Sequence, residues 1–266
     1  MNSPTSRVQI VNRDGVSIHA LDDLGSRNSL SEELARELLA GLASAAADPA
    51  VQSILLTGRG KAFCAGGNLK QFAGVHEPLD EYVGRMIREL YSPLALAVYK
   101  CAKPVIAAVN GAAVGAGVGL ALCADVVVAA RSAYFVLPFV PALGAVPDMG
   151  TSWLVPRLIG PARSIGLLLT GERLSADDAE AAGLIWRTVA DGELEGTALA
   201  IAKGFGALPM GAVRRTKMAL AAAHHNSFDE QLELERELQM TSFGSAQLRE
   251  GLSAFLEGRA PNFHKP

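Results

Sequence analysis

Three stretches of this 266-residue chain hold the residue types from which chemistry can be assembled, and they share the task unevenly. "FCAGGN" (63–68) and "NGAAVGAGVGL" (110–120) are dense in glycine and contain no acid, whereas "PALGAVPDMGTSW" (141–153) holds one carboxylate, Asp148. Each glycine stretch follows a short apolar run with the pattern of a buried strand. Glycine leaves backbone N–H groups bare toward a ligand oxygen, and a pair of them can stabilise an oxyanion. Close helix–strand packing is the other use of such glycines, and the chain alone leaves both open. Asp148 also carries two readings: an acid–base group that moves one proton, or an N-cap for a helix beginning near Met149.

Competing chemistries find little support. "GAGVG" is spaced G-x-G-x-G rather than G-x-G-x-x-G, no acid follows about 20 residues on, and no phosphate-loop lysine is present. There is no G-x-S-x-G elbow, and no cysteine has an evident histidine partner. His224 and His225 fall in a polar helical end, and His19 beside Asp22 and Asp23 is too small a set for a metal site. Cys64, Cys101 and Cys123 lack C-x-x-C spacing and read as buried thiols in a reducing compartment.

The elements that must position these residues can be read from composition and period. Half the residues are hydrophobic and 19% are charged, a globular balance. The net charge is −3, and the longest basic stretch is "RRTK" (214–217), too small a footprint for nucleic acid. The 21 uncharged residues between Lys103 and Asp125 reach membrane-span length. They open on a proline and carry Gly111, Gly115, Gly117 and Gly119, so a buried strand, a tight turn and a buried helix are expected instead. The polar N-terminus has no apolar signal core, which points to a cytoplasmic protein.

"RVQIVNRDG" and "GVSIHALDD" predict a hairpin around Asp-Gly. "SLSEELARELLAGLASAAAD" predicts a helix, with Ser29 and Glu32 at capping-box spacing and Pro49 beyond its end. "VQSILLTG", "KPVIAAVNG", "DVVVAA" and "AYFVL" predict strands, and the helix over 79–101 should kink at Pro93. Beyond residue 160 helices dominate, at 161–169, 175–182, 195–206, 211–224, 228–241 and 245–257, with "LIWRTVA" as an intervening strand. No repeat is visible in the letters.

"GRGKAFCAGGNLKQF" and "KPVIAAVNGAAVGAGVGLALCADVVVAA" resemble the two signature segments of the crotonase, or enoyl-CoA hydratase/isomerase, superfamily. The resemblance continues through "FVLPFVPALGAVPDMGTSWLVPRLIGPARSIGLLLTGERLSADDAEAAGLI" to "REGLSAFLEGRAPNF", nearly the whole chain. It implies an α/β fold: a crotonase-like spiral of ββα repeats over 1–200 with the acyl-CoA site, then a helical trimerisation region over 201–266. It further implies a homotrimer or dimer of trimers, an acyl-CoA thioester as ligand, and no cofactor or metal beyond the coenzyme A of that substrate. Nucleic acid and membrane are not expected partners.

By the same resemblance the thioester oxygen would be held by the backbone N–H groups of Gly67 and Ala116. Alanine suffices at the second position because the donor is main chain. The backbone over 62–66 (Ala62, Ala65 and Gly66 among them) would meet the adenine end, and Asn68, Leu69 and Lys70 would lie near the pantetheine. Arg27 and Lys265 are candidates for phosphate contacts, and Phe139 and Trp153 for the acyl pocket or the core. Hydratases of the family use two glutamates, at positions matching Gly119 and Phe139 here; neither residue can transfer a proton. "VPDMGTSWLVPRL" resembles instead the isomerase branches, which use one acid just after a proline, and this favours Asp148 as the acid/base of a double-bond shift. The alternatives are hydration, another enolate reaction such as thioester hydrolysis, or acyl-CoA binding without turnover.

Overall fold

The computed structural model describes residues 6–263. Lys265 lies outside the described residues. One compact unit extends to Lys203, and a second begins at Gly204.

In the first unit, β1 (Val8–Arg13) and β2 (Val16–Leu21) form the expected antiparallel hairpin. Asp14 at φ 51° and Gly15 at φ 78° supply the two left-handed residues of a tight two-residue turn. Three strand pairs then follow: β3 (Ser53–Gly58) with β4 (Ala62–Cys64), β5 (Val105–Val109) with β6 (Ala112–Val114), and β7 (Val126–Ala130) with β8 (Tyr134–Val136). The first strand of each pair enters one sheet and the second strand another, each parallel to its predecessor. The path therefore advances one strand per pair in both sheets, as a spiral. β9 (Leu174–Ser175) and β10 (Arg187–Val189) complete sheets ordered β1-β2-β3-β5-β7-β10 and β4-β6-β8-β9. This is the α/β fold implied by the resemblance, and the repeat absent from the letters is present in the topology.

Parallel strands enclosed on both faces must be apolar on both faces, which is why β5 reads as "VIAAV" and is wholly buried. Helix Glu32–Ala47 lays Leu34, Ala35, Leu38, Leu42 and Ala45 inward, and Lys103 Nζ donates to Ala45 O and Asp48 O at its C-terminal end. Its N-cap differs from expectation. Ser31, in an extended conformation, accepts from Leu34 N, while Ser29 Oγ is buried without a partner and forms no capping box with Glu32. The run between Lys103 and Asp125 folds as β5, β6 and the wholly buried helix Ala116–Leu122. Among the described residues no single helix is long and apolar enough to cross a membrane.

Helices Leu79–Met86 and Ser92–Tyr99 are joined by a π-helical turn, Ile87–Tyr91, which ends two residues before Pro93. Proline has no N–H to continue the α ladder, and the wider turn absorbs the defect. The second unit contains helices Met210–Ala222, Phe228–Phe243 and Ala246–Glu257.

Candidate active site

Strands β4 and β6 are parallel neighbours, so the glycine-rich turns that end them lie side by side. Gly66 has φ 83° and Gly115 φ 53°, both in the left-handed region open to glycine. A Cβ on Gly66 would stand 2.6 Å from Val114 O and 3.4 Å from Ala116 N, and one on Gly117 would stand 2.3 Å from Cys64 O. Each turn thus supplies the missing side chain that lets the other approach. Leu30 N donates to Gly66 O at 2.7 Å, and Ala65 N donates to Arg27 O at 3.1 Å. Among the described residues, the N–H groups of Gly67 and Ala116, on these adjoining turns, have no acceptor. Ala116 is the first residue of its helix, where an N–H has no intrahelical acceptor.

Tyr91 was not singled out by sequence reasoning. It is 2% exposed, and its hydroxyl donates to Leu30 O at 2.6 Å. The same oxygen atom would lie 3.8 Å from a Cβ on Gly67. Tyr91 therefore braces the segment bridged to Gly67. Its signal in the sequence was Pro93, whose helical defect sets the π turn that carries it.

Asp148 does not cap the following helix. Helix Thr151–Ile159 begins after Gly150, with no side-chain cap hydrogen bond. Asp148 contributes its backbone carbonyl, which accepts from Thr151 N at 3.0 Å and Thr151 Oγ1 at 2.7 Å. Met149 at φ 48° and Gly150 at φ 77° turn the chain so that the carboxyl faces inward. Asp148 Oδ1 is buried with no hydrogen-bond partner. Burial pushes its pKa up to about 6, a rise tempered by a hydrogen bond from its own backbone N–H. The carboxylate is felt by two neighbours. Burial foremost, with the Asp148 charge contributing, pushes the Cys64 thiol up to about 12 and raises the Tyr91 phenol. Cys64 ends the strand that leads into Gly66 and Gly67, so the acid lies within electrostatic reach of the paired turns.

Phe139 is 6% exposed, and its ring lies 3.5 Å from where a Cβ on Gly115 would be. An aromatic ring thus stands beside the Ala116 turn. Asn68 caps helix Leu69–Ala73 by accepting from Gln71 N at 3.1 Å, and Leu69 and Lys70 are exposed on that helix's first turn. Arg27 is exposed and left-handed at φ 57°. Its neighbour Asn28 is the second residue the sequence reading passed over. Fully buried at φ 59°, Asn28 donates through Nδ2 to Arg59 O and Ala62 O and accepts from Asp23 N. Asparagine's tolerance of the left-handed region was the available signal. Ala62 O also accepts from Asn110 Nδ2, so its hydrogen-bonding capacity is taken up in holding the loop.

Trp153 meets Tyr99 edge to face at 5.7 Å and lines an apolar pocket of about 220 Å³ with Leu96, Cys123 and Gly150. A larger concavity, about 460 Å³, runs between helices Pro161–Thr170 and Ala176–Ala182 and includes neither glycine turn nor Asp148, so it offers no part of this chemistry. His19 does not face Asp22 or Asp23: it is fully buried against Gly41, and its Nε2 lies 3.0 Å from Ser17 Oγ.

Residues 12–266 match the enoyl-CoA hydratase/isomerase family. Over 236 residues the chain is 42% identical to the 1,2-epoxyphenylacetyl-CoA isomerase of Escherichia coli, covering 89% of this chain and 90% of that one. A Rhodobacter capsulatus protein whose name reads "Probable enoyl-CoA hydratase" is 41% identical over 263 residues, 99% of each chain. The crystal structure of an enoyl-CoA hydratase from Bacillus anthracis superposes with a TM-score of 0.90 at 32% identity, covering 97% of this chain and 100% of that one.

Proposed function

The chain belongs to the enoyl-CoA hydratase/isomerase family, and from that premise we propose that it shifts the double bond of an enoyl-CoA thioester, with Asp148 as the single acid–base. The thioester oxygen sits between the N–H groups of Gly67 and Ala116. Asp148 takes the proton from the carbon next to the carbonyl. The C–H electrons form a double bond between the α-carbon and the carbonyl carbon while the carbonyl π pair moves onto oxygen. The β,γ double bond stays in place, giving a conjugated dienolate whose oxygen charge the two amides stabilise. Asp148 then returns the proton two carbons away, and the α,β-unsaturated thioester is complete. The reaction is redox-neutral and returns the carboxylate to its starting state.

One observation carries this reading: the half-buried Asp148 holds Oδ1 buried without a hydrogen-bond partner, and burial raises its pKa to about 6. Such a group is ionised at pH 7 yet holds a proton far more readily than a solvated aspartate, as a shuttle requires. Hydration is less well supported, because Gly119 and Phe139 give water no second carboxylate. A binder without turnover has no use for a carboxylate oxygen buried without a partner. The name of the Escherichia coli relative fits an isomerase reading. Self-association through the C-terminal helices is supported by the exposed Phe228, Phe243, Phe255 and Leu256; sedimentation reads it directly.

The test is the conversion of a β,γ-enoyl-CoA to its α,β isomer, measured beside water addition to crotonyl-CoA. Asp148→Asn should lower isomerisation by roughly two to four orders of magnitude. Hydration outrunning isomerisation in the wild type, or an unimpaired Asp148→Asn, overturns the proposal.

A further inference from the structure

Gly119 sits in the interior of helix Ala116–Leu122, a position that disfavours glycine unless something must come close. What comes close is the main chain beside Asp148. A Cβ on Gly119 would stand 2.5 Å from Met149 Cβ, 2.5 Å from Met149 O and 3.1 Å from Met149 C. These atoms belong to the backbone and the root of a side chain, so no rotamer change relieves the contact. Met149 is buried and holds φ 48°, a conformation that L side chains resist. On the same helical segment, Cys123 Sγ lies 3.9 Å from Met149 O. The strained turn is thus pressed onto the bare Gly119 position of this helix and cannot relax toward it.

We propose that Gly119 and Met149 form a steric clamp that positions the Asp148 carboxyl, so that in this chain a side chain at position 119 and a working base at position 148 exclude each other. The clamp rests on the reading of Asp148 as the base. Both clamp residues act through the turn they lock, as positioning residues. The loss of the helix side chain and the strain in Met149 have one consequence in common, which is to hold Asp148 Oδ1 buried where it has no hydrogen-bond partner.

Gly119→Ala adds the smallest possible wedge, and Met149→Gly keeps the left-handed turn while removing its strain and its anchor. Isomerisation of 3-hexenoyl-CoA is measured for both across pH 4–8, alongside thermal unfolding and Asp148→Asn. A displaced turn should cost about 100-fold in kcat, with KM within about two-fold of wild type. The acid limb of kcat should move from about 6 toward the ordinary carboxylate range as Asp148 gains water. Its titratable neighbours Cys64 and Tyr91 are unchanged in both variants, so the movement reports Asp148 itself. Should Gly119→Ala fail to fold, Met149→Gly decides alone. Wild-type kcat and pH limb in a folded variant overturn the clamp, and if Asp148→Asn is inactive in the same series the base assignment survives that failure. Full activity in Asp148→Asn removes the base and the clamp with it.

Discussion

Replacing Asp148 by Asn should make the protein more stable while it destroys activity, and the size of the gain follows from the burial of the carboxyl. The group titrates near 6 in the fold against 3.8 for an ordinary aspartate, a rise caused chiefly by burial. At about 1.4 kcal/mol per unit, the ionised carboxylate costs the native state roughly 3 kcal/mol. The sign is that of a raised acid: the native state binds the proton more tightly than the unfolded chain does. The penalty is therefore complete above pH 6, shrinks as pH falls, and is gone below about 3.8. Asparagine matches the size of the side chain without the charge. Its amide also lacks partners, so the expected gain at pH 7 is between about 1 and 3 kcal/mol. Urea unfolding of both proteins at pH 7, 6, 5 and 4 should show the two stabilities converging on acidification. Taking the difference removes the contributions of every other titrating group. Greater stability of the wild type at pH 7 would mean that the carboxylate is holding structure together. A difference that ignores pH would mean that Asp148 is solvated, and the reasoning from its burial would be refuted.

Ala116→Pro removes one proposed oxyanion donor at a helical position that tolerates proline, preceded by Gly115 whose ψ of −120° avoids the helical region disfavoured before proline. Isomerisation should fall about 10²- to 10³-fold, with the circular dichroism spectrum unchanged. Tyr91→Phe leaves the Leu30 carbonyl without its phenol donor, so unfolding should show a loss of about 1–3 kcal/mol, with a lower kcat as the Gly67 segment loosens. His19 is neutral in the fold, burial lowering its pKa to about 4 from 6.5. Its contribution is complete above pH 6.5 and should fade by roughly 3 kcal/mol as pH drops to 4; the stability difference from His19→Phe, followed across that window, measures it.

Much of this molecule is local and was legible in the chain. Asp14 and Gly15 announced their hairpin because few residue pairs adopt two consecutive left-handed conformations. The apolar runs of β3, β5 and β7 and the periodic helices likewise follow from side-chain pattern. The resemblance carried by the glycine segments placed the family and the spiral. Capping was less legible: Ser29 has capping-box spacing to Glu32, yet Ser31 is the residue that accepts from Leu34 N.

Nothing local could say whether Asp148 would cap a helix or stand unpartnered, because both uses begin with the same residue in the same turn. Its environment comes from elements distant in sequence. Gly119 lies on the β6–helix segment, Cys64 on β4, and Tyr91 on a π turn created by Pro93. A pKa is set by the water and charge around an atom, and those are properties of the packed interior rather than of the letters beside it. By itself the sequence determined the glycine-rich segments, the single acid at 148, and that Gly119 and Phe139 carry no carboxylate. The tertiary structure alone decided that Asp148 Oδ1 would be buried without a partner, because only the meeting of these separate segments excludes water from it.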